Sequence, residues 1–452
     1  MESRNPATGQ VVATHAEHDV EETKRLVNRA REVFTAWRRV PFPERARPMR
    51  EAARILREEK PALAALMVRE MGKTIVSAEA EAEKCAWVCE FYAEHAERFL
   101  GPEIVETDAF RSYVRYDPLG VVLAVMPWNF PFWQVFRFAA PGLMAGNTGL
   151  LKHASNVPGC ALAIEDVFRR AGFPEGAFTA LMIPSRLVPD VIRDPAVAAV
   201  TLTGSESAGM AVAAEAGRAI KKVVLELGGS DPFVVLADAD LAAAAKAAVT
   251  ARNLNNGQSC IAAKRFIVEA PVYERFEAAF TRLTAALRVG DPMDRATDVG
   301  PLAREEFVRE LHDQVERSVK AGAIRLLGGK PVDGPGYFYE PTVLSRVTPG
   351  MAAFDEETFG PVAALVNARD EEDALRLANL TPFGLGASVW TADRARGERI
   401  AGEIDAGAVF VNGIVKSDPR LPFGGIKRSG FGRELSVHGI REFVNARTVW
   451  VG

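Results

Sequence analysis

Between residues 19 and 100 the apolar positions recur at helical spacing, and the punctuation is that of helix starts. Asp19 precedes a periodic stretch that runs to Trp37. Pro43 precedes another that runs to Lys60, and residues 61–100 continue in the same pattern. From residue 121 the pattern changes to short apolar runs broken by turns. Val121–Val125 reads as a buried strand, followed by a loop and an apolar segment at 133–145. Residues 149–152, 180–182 and 198–202 read as further strands, and 156–171 as a helix. After residue 260 a second series begins, with strands near 265–268, 323–327, 362–366, 386–390 and 407–411 separated by helical stretches. Strands alternating with helices predict parallel, doubly wound sheets. Two such series predict two α/β domains, with a cleft where they meet.

Composition bounds the function classes. A chain of 452 residues exceeds one small core, so two or three domains are expected. The net charge of −4 leaves no basic footprint for nucleic acid and no bias towards an anionic membrane. No apolar run approaches the ~18 residues of a membrane span. Four cysteines in this length form no disulfide framework, which predicts a reducing, cytoplasmic setting. Cys85, Cys89 and Cys160 read as packing residues. The six histidines form no cluster, so no metal is expected.

Candidate chemistry concentrates at Asn256-Gly257-Gln258-Ser259-Cys260, a polar, glycine-containing turn after an alanine-rich run. A structural cysteine ordinarily sits among apolar neighbours. Upstream, Glu226 interrupts the strand-like run Leu225–Gly229. A nucleophile and a base in such settings fit covalent catalysis, against the plainer readings of an inert cysteine and an ion-paired glutamate. Pro127-Trp128-Asn129-Phe130-Pro131 is a stiff loop whose Asn129 amide suits an oxyanion or, more plainly, a cap. Thr203-Gly204-Ser205 follows a strand and opens a helix, a setting that suits phosphate and also ordinary capping. Lys152 ends a strand at the edge where doubly wound sheets bind ligands. Glu357 and Phe359 precede a strand, and Pro422–Gly430 is a glycine-rich loop.

Taken together and in order, these motifs resemble the aldehyde dehydrogenase superfamily over nearly the whole chain, from Asn5–Gly9 to the C-terminus. The resemblance implies a Rossmann-like cofactor domain (1–100 and 119–227), a catalytic α/β domain (228–425) and a small oligomerisation element (101–118 and 426–452). It also implies a homodimer or homotetramer. Cys260 is then the nucleophile that forms a thiohemiacetal and a thioester, Asn129 the oxyanion donor and Glu226 the activator of water. Trp128, Lys152, Gly204, Ser205, Glu357 and Phe359 fall at cofactor-binding positions, and Glu434 at a position assigned to proton relay. Ser155 stands three residues after Lys152, where NAD-selective members carry an acid. A serine there removes the repulsion of a 2′-phosphate, which predicts NADP preferred over NAD, although Ser155 also reads as a helix N-cap.

The stretch containing Trp133 and Arg137, with Ser417, resembles the succinate-semialdehyde dehydrogenase branch of that family. Arg137 is the only charge between Pro127 and Lys152 and needs an anionic partner. The candidates are a substrate carboxylate and a glutamate of the chain. The alternatives are a broad-specificity aldehyde dehydrogenase or one for a different aldehyde, acyl transfer to coenzyme A, which needs no water-activating Glu226, and a non-catalytic binding protein, which has no need of Cys260 or Asn129.

Overall fold

The computed structural model describes residues 1–452. Four helices, Val20–Trp37, Phe42–Glu58, Lys60–Met71 and Ile75–Phe99, account for the helical N-terminal pattern. Asp19 caps the first, its carboxylate accepting the Glu22 N–H at 2.8 Å.

A six-stranded sheet follows. Its order is Gly430–Phe431, Lys222–Glu226, Val197–Thr203, Val121–Met126, Thr148–His153 and Phe178–Ala180. All pairings are parallel except that of Gly430–Phe431 with Lys222–Glu226. Side chains alternate across it: Val122 and Ala124 enter the core shared with the N-terminal helices, while Val121 and Leu123 enter a second core on the opposite face. Burial on both faces explains why these strands read as unbroken apolar runs.

The second sheet has seven strands, ordered Ile324–Leu327, Thr342–Ser345, Val362–Ala368, Ala263–Glu269, Asp231–Val235, Gly386–Trp390 and Ala408–Val411. Only its first pairing is antiparallel. Phe233 and Val235 face one core, Val234 and Leu236 the other. A third, antiparallel sheet joins Val444–Val451, Arg111–Pro118 and Glu103–Ile104.

The two α/β series are therefore present, with differences in detail. Asp231–Val235, Thr342–Ser345 and the N-terminal pair Glu2–Arg4 and Val11–Thr14 are additional strands. The strand expected at 180–182 ends at Ala180. Gly430–Phe431 lies within the stretch expected to belong to the third element, yet it extends the first sheet, because the glycine-rich loop docks against Glu226. Ser155 is not a helix cap: the following helix begins at Pro158.

One buried ion pair places the helix that will matter most. Lys73 and Glu81 are paired with essentially no exposure. The other carboxylate oxygen of Glu81 accepts the N–H groups of Phe132 (2.8 Å) and Trp133 (2.9 Å). These are unpaired donors at the start of helix Trp133–Ala145. Lys73→Ala leaves that carboxylate without its counter-ion. It should lower stability by about 3–5 kcal/mol, read from the midpoint of urea unfolding. An unchanged midpoint would show that the pair is dispensable.

Candidate active site

The first sheet reverses its strand order beside Val121–Met126, with Thr148–His153 on one side and Val197–Thr203 on the other. A crevice opens at the carboxyl ends of strands at such a point. Here it is lined by Pro127, Trp128 and Asn129 after one strand and by Thr203, Gly204 and Ser205 after the other. It has a volume of ≈ 390 Å³ and reaches Cys260, Glu357 and Phe359 from the second sheet's side. A separate cavity of ≈ 210 Å³ also has Cys260 in its wall, with Trp133, Arg137, Ser417, Lys84 and Phe423. The cysteine is thus shared by two chambers. It is half-exposed to them yet enclosed by protein.

Local backbone chemistry delivers it there. Helix Leu241–Asn253 ends in three consecutive left-handed residues, Asn255 (φ 57°), Asn256 (φ 60°) and Gly257 (φ 74°). Asparagine and glycine tolerate this region best. At Gly257 the requirement is also steric, since a Cβ would lie 2.3 Å from the carbonyl carbon of Gly360. The asparagine amides then tie the turn down. Asn255 Nδ2 donates to the Asn129 (2.7 Å) and Gln258 (3.1 Å) carbonyls, and Asn256 Nδ2 to those of Gly72 (2.9 Å) and Pro301 (3.0 Å). Lys264 donates to the carbonyls of Ser259 (3.0 Å) and Cys260 (2.7 Å). Both carbonyls are thereby turned away, and the Cys260 N–H donates to no group of the chain.

Asn129 is held equally firmly. Its Oδ1 accepts from Gln134 Nε2 (3.1 Å), and its Nδ2 donates to the Gln258 carbonyl (3.0 Å), leaving one N–H uncommitted. The loop itself is stapled by His153. Its Nε2 lies 2.8 Å from the Pro131 carbonyl and its Nδ1 3.2 Å from the Met126 carbonyl, so the ring bridges two backbone acceptors. Burial pushes that imidazole down to about 4, keeping it neutral.

Glu226 ends its strand fully buried but lines neither chamber. Its carboxylate lies beside Arg137 (3.9 Å) and under Gly424, where a Cβ would be 2.9 Å from its Oε1. Burial raises its pKa, Arg137 opposes the rise and Glu434 adds to it. Arg137 itself is ion-paired with Glu434 and stacks over the Phe423 ring at 4.7 Å. Of the two partners open to Arg137 in the sequence, the structure supplies a glutamate of the chain. Burial likewise raises the Glu434 carboxyl, and Arg137 opposes it.

On the cofactor side, Ser205 caps helix Glu206–Arg218, and Trp128 stacks on Phe307 and meets Phe359 edge-on. Glu357 accepts the Gly229 N–H (3.0 Å) and lies 3.3 Å from Lys264. Lys152 is buried and donates to Ser185 (3.3 Å), in a further depression of ≈ 480 Å³. Ser155 is exposed and faces Arg304, whose Nη2 reaches Ser155 Oγ (3.4 Å) and Asn156 Oδ1 (3.1 Å). Burial, and then Arg304, lower the Lys152 pKa. No group of three or more His, Cys, Asp or Glu is placed to hold a metal ion, and no helix is long and apolar enough to cross a membrane.

Four residues escaped the motif reading: Lys84, Arg304, Lys264 and Gln134. Lys84 carries a legible signal, a charge one turn from Glu81 beside the apolar stripe Ala78, Ala82, Cys85 and Cys89. Gln134 and Lys264 act through near neighbours, Asn129 and Ser259–Cys260, whereas Arg304 meets Ser155 and Asn156 from far along the chain.

The family model for the aldehyde dehydrogenase family matches residues 1–449. The chain is 56% identical over 447 residues to a probable succinate-semialdehyde dehydrogenase [NADP(+)] of Synechocystis sp., covering 99% of this chain and 98% of that protein. It is 55% identical over 452 residues to a succinate-semialdehyde dehydrogenase [NADP(+)] of Mycobacterium avium, covering 99% and 96%. It superposes on the crystal structure of succinic semialdehyde dehydrogenase from Streptococcus pyogenes in complex with NADP+ with a TM-score of 0.98. That match has 36% identity and covers 100% of this chain and 99% of the other.

The enclosed setting of Cys260 has a measurable consequence. Burial pushes its thiol up to about 12, with Lys264 and Arg137 pulling the other way. The thiolate fraction therefore rises tenfold per pH unit across the accessible range. In the cofactor-free protein, alkylation by iodoacetamide should accelerate with unit slope between about pH 7 and pH 10. A plateau below about pH 8 would show a thiolate already formed at rest.

Proposed function

The chain belongs to the aldehyde dehydrogenase family, and on that premise we propose that it oxidises succinic semialdehyde to succinate with NADP+, accepting NAD+ less well. The observation that carries this reading is the position of Cys260 between two chambers. One lies at the strand-end crevice, and the other is lined by basic and hydroxyl groups.

The aldehyde enters the smaller chamber; Cys260 loses its thiol proton to water and the thiolate Sγ attacks the carbonyl carbon, forming a C–S bond as the C=O π pair moves onto oxygen. The resulting oxyanion is received by the uncommitted Asn129 N–H and the free Cys260 N–H. NADP+, when bound, supplies the hydride acceptor that turns the thiohemiacetal into a thioester. The crevice fits such a group: Gly204 and Ser205 would offer helix-start donors to a pyrophosphate, and Trp128, Glu357 and Phe359 would hold the nicotinamide end. A 2′-phosphate would be met by the Lys152 ammonium and by the Ser155 hydroxyl, position 155 carrying no acid of its own, with Arg304, which also pairs with Glu306 at 2.9 Å, beside Ser155. Glu226 then takes a proton from water, whose oxygen attacks the thioester, and the Cys260 thiolate leaves. Since Glu226 rests beside Arg137, its carboxylate must swing towards Cys260 for this step. A buried carboxyl with a raised pKa suits a general base, and its presence favours water over coenzyme A as acceptor.

We also propose a homodimer or homotetramer built through the third sheet. Its outer strand Val444–Val451 presents an open edge, and Trp450, Ile104 and Phe110 are exposed beside it. The cysteines are all free thiols, which fits a cytoplasmic enzyme.

Steady-state kinetics with succinic semialdehyde tests the reading. NADP+ should give the higher kcat/KM, Ser155→Glu should reverse the order by weakening NADP+, and Cys260→Ala should abolish turnover while retaining cofactor binding. A wild-type preference for NAD+, or substantial turnover by Cys260→Ala, would contradict it.

A further inference from the structure

Three cations line the smaller chamber; Arg137 is ion-paired, Lys416 is unpaired but exposed to solvent, and Lys84 is unpaired and half-buried. Lys84, on helix Ile75–Phe99, projects into the chamber. Its Nζ donates to Ser417 Oγ at 2.7 Å and lies 4.2 Å from the centre of the Trp133 ring. The acids around it are engaged elsewhere: Glu81 by Lys73 and two backbone N–H groups, and Asp418 by Arg420. Arg137 lines the same chamber, but its charge is met by Glu434 in direct contact and by Glu226 at 3.9 Å.

Ser417 supplies a second, independent sign of a missing anion. Its Oγ accepts from Lys84 and also from Trp133 Nε1 at 3.1 Å. Both of those groups are donors only. The two lone pairs of the hydroxyl are therefore used, and its hydrogen is left to donate, with no acceptor in the chain. An unmatched ammonium and an unmatched O–H stand side by side in the wall of the chamber that holds the nucleophile.

Resting on the carboxylate-bearing substrate proposed above, we propose that Lys84 and Ser417 bind the substrate's carboxylate and that Arg137 does not. Lys84 is then the specificity-determining residue. Arg137 is a positioning residue that holds Glu226 and Glu434. The carboxylate completes what the chain leaves open, one oxygen taking the ammonium and one the hydroxyl. Trp133 fixes both donors, one through its ring face and the other through its indole N–H.

The geometry also makes substrate choice depend on pH. Burial, aided by the Arg137 charge, lowers the Lys84 ammonium to about 8, while Cys85, Glu81 and Asp418 pull the other way. Lys416, at the chamber mouth, adds a further positive charge. The ammonium is present below that pH and lost above it. Cys260, Glu226 and Glu434 act on every aldehyde, so their titration cancels in a ratio of two substrates.

The test compares kcat/KM for succinic semialdehyde and for pentanal, an uncharged aldehyde of similar length, in the wild type, Lys84→Met and Ser417→Ala. Lys84→Met should raise KM for succinic semialdehyde on the order of 10- to 100-fold, with a far smaller effect on its kcat and on pentanal. Ser417→Ala should shift the same ratio in the same direction by less. In the wild type the ratio should fall as pH rises through about 8. Equal losses on both aldehydes in Lys84→Met, or a ratio flat to about pH 10, overturn the assignment. A wild-type preference for succinic semialdehyde that survives Lys84→Met overturns this inference alone. A wild type that does not prefer succinic semialdehyde overturns the substrate reading and this inference with it.

Discussion

The active site depends on three residues whose backbones run against the usual hand. Asn255, Asn256 and Gly257 take left-handed conformations in succession, and this turns the chain sharply out of helix Leu241–Asn253. Each such residue is unfavourable on its own. The fold sustains them because their side chains and backbone are consumed by contacts across the molecule: Asn255 to the Asn129 loop, Asn256 to Gly72 and Pro301, and Gly257 against Gly360. The result is a cysteine whose sulfur meets both chambers, whose carbonyl is held back by Lys264, and whose N–H remains free for an oxyanion. Nearly everything else in the site is arranged around that turn.

Buried charge is the second organising feature, and it is distributed with purpose. Lys73 and Glu81 secure the start of the Trp133–Ala145 helix. Arg252 and Lys264 bind carbonyls of the turn. Arg137 lies between Glu226 and Glu434, so the Glu226 carboxylate rests beside a guanidinium and beneath the glycine-rich loop. Glu226 is held out of the chambers in this arrangement. In the proposed mechanism, a base held away from Cys260 leaves the sulfur free for attack and acts only when the thioester is ready for water. Lys84 differs from all of these, since it meets only the Ser417 hydroxyl and the Trp133 ring and pairs with no carboxylate.

The fold was largely legible because both parallel sheets are covered on two faces. Full burial turns their strands into short apolar runs that stand out from the helical stretches, as at Val121–Met126 and Val362–Ala368. Asp231–Val235 escaped because it opens with an acid and a proline directly after the Gly228–Gly229 turn. Gly430–Phe431 escaped because two residues carry no periodicity. In the site, Cys260, Asn129 and Glu226 announced themselves as residue types out of keeping with their neighbours. Arg137 was equally conspicuous, but its partner Glu434 lies far along the chain, and no local pattern links the two. Arg304 is illegible for the same reason, and Lys84 shows only as a charge beside an apolar stripe, because a lysine or arginine on a helix or loop is ordinary until the fold shows what surrounds it.

The central claim is that carbon from the aldehyde becomes bonded to Cys260 and is released by water that Glu226 activates. Mass spectrometry of Glu226→Gln, quenched in acid after mixing with succinic semialdehyde and NADP+, tests it directly. The account predicts a succinyl thioester that accumulates on the peptide carrying Cys260 and is absent when NADP+ is omitted. An intact, cofactor-reducing variant with no acyl group on Cys260, or with the acyl group on another residue, would contradict it.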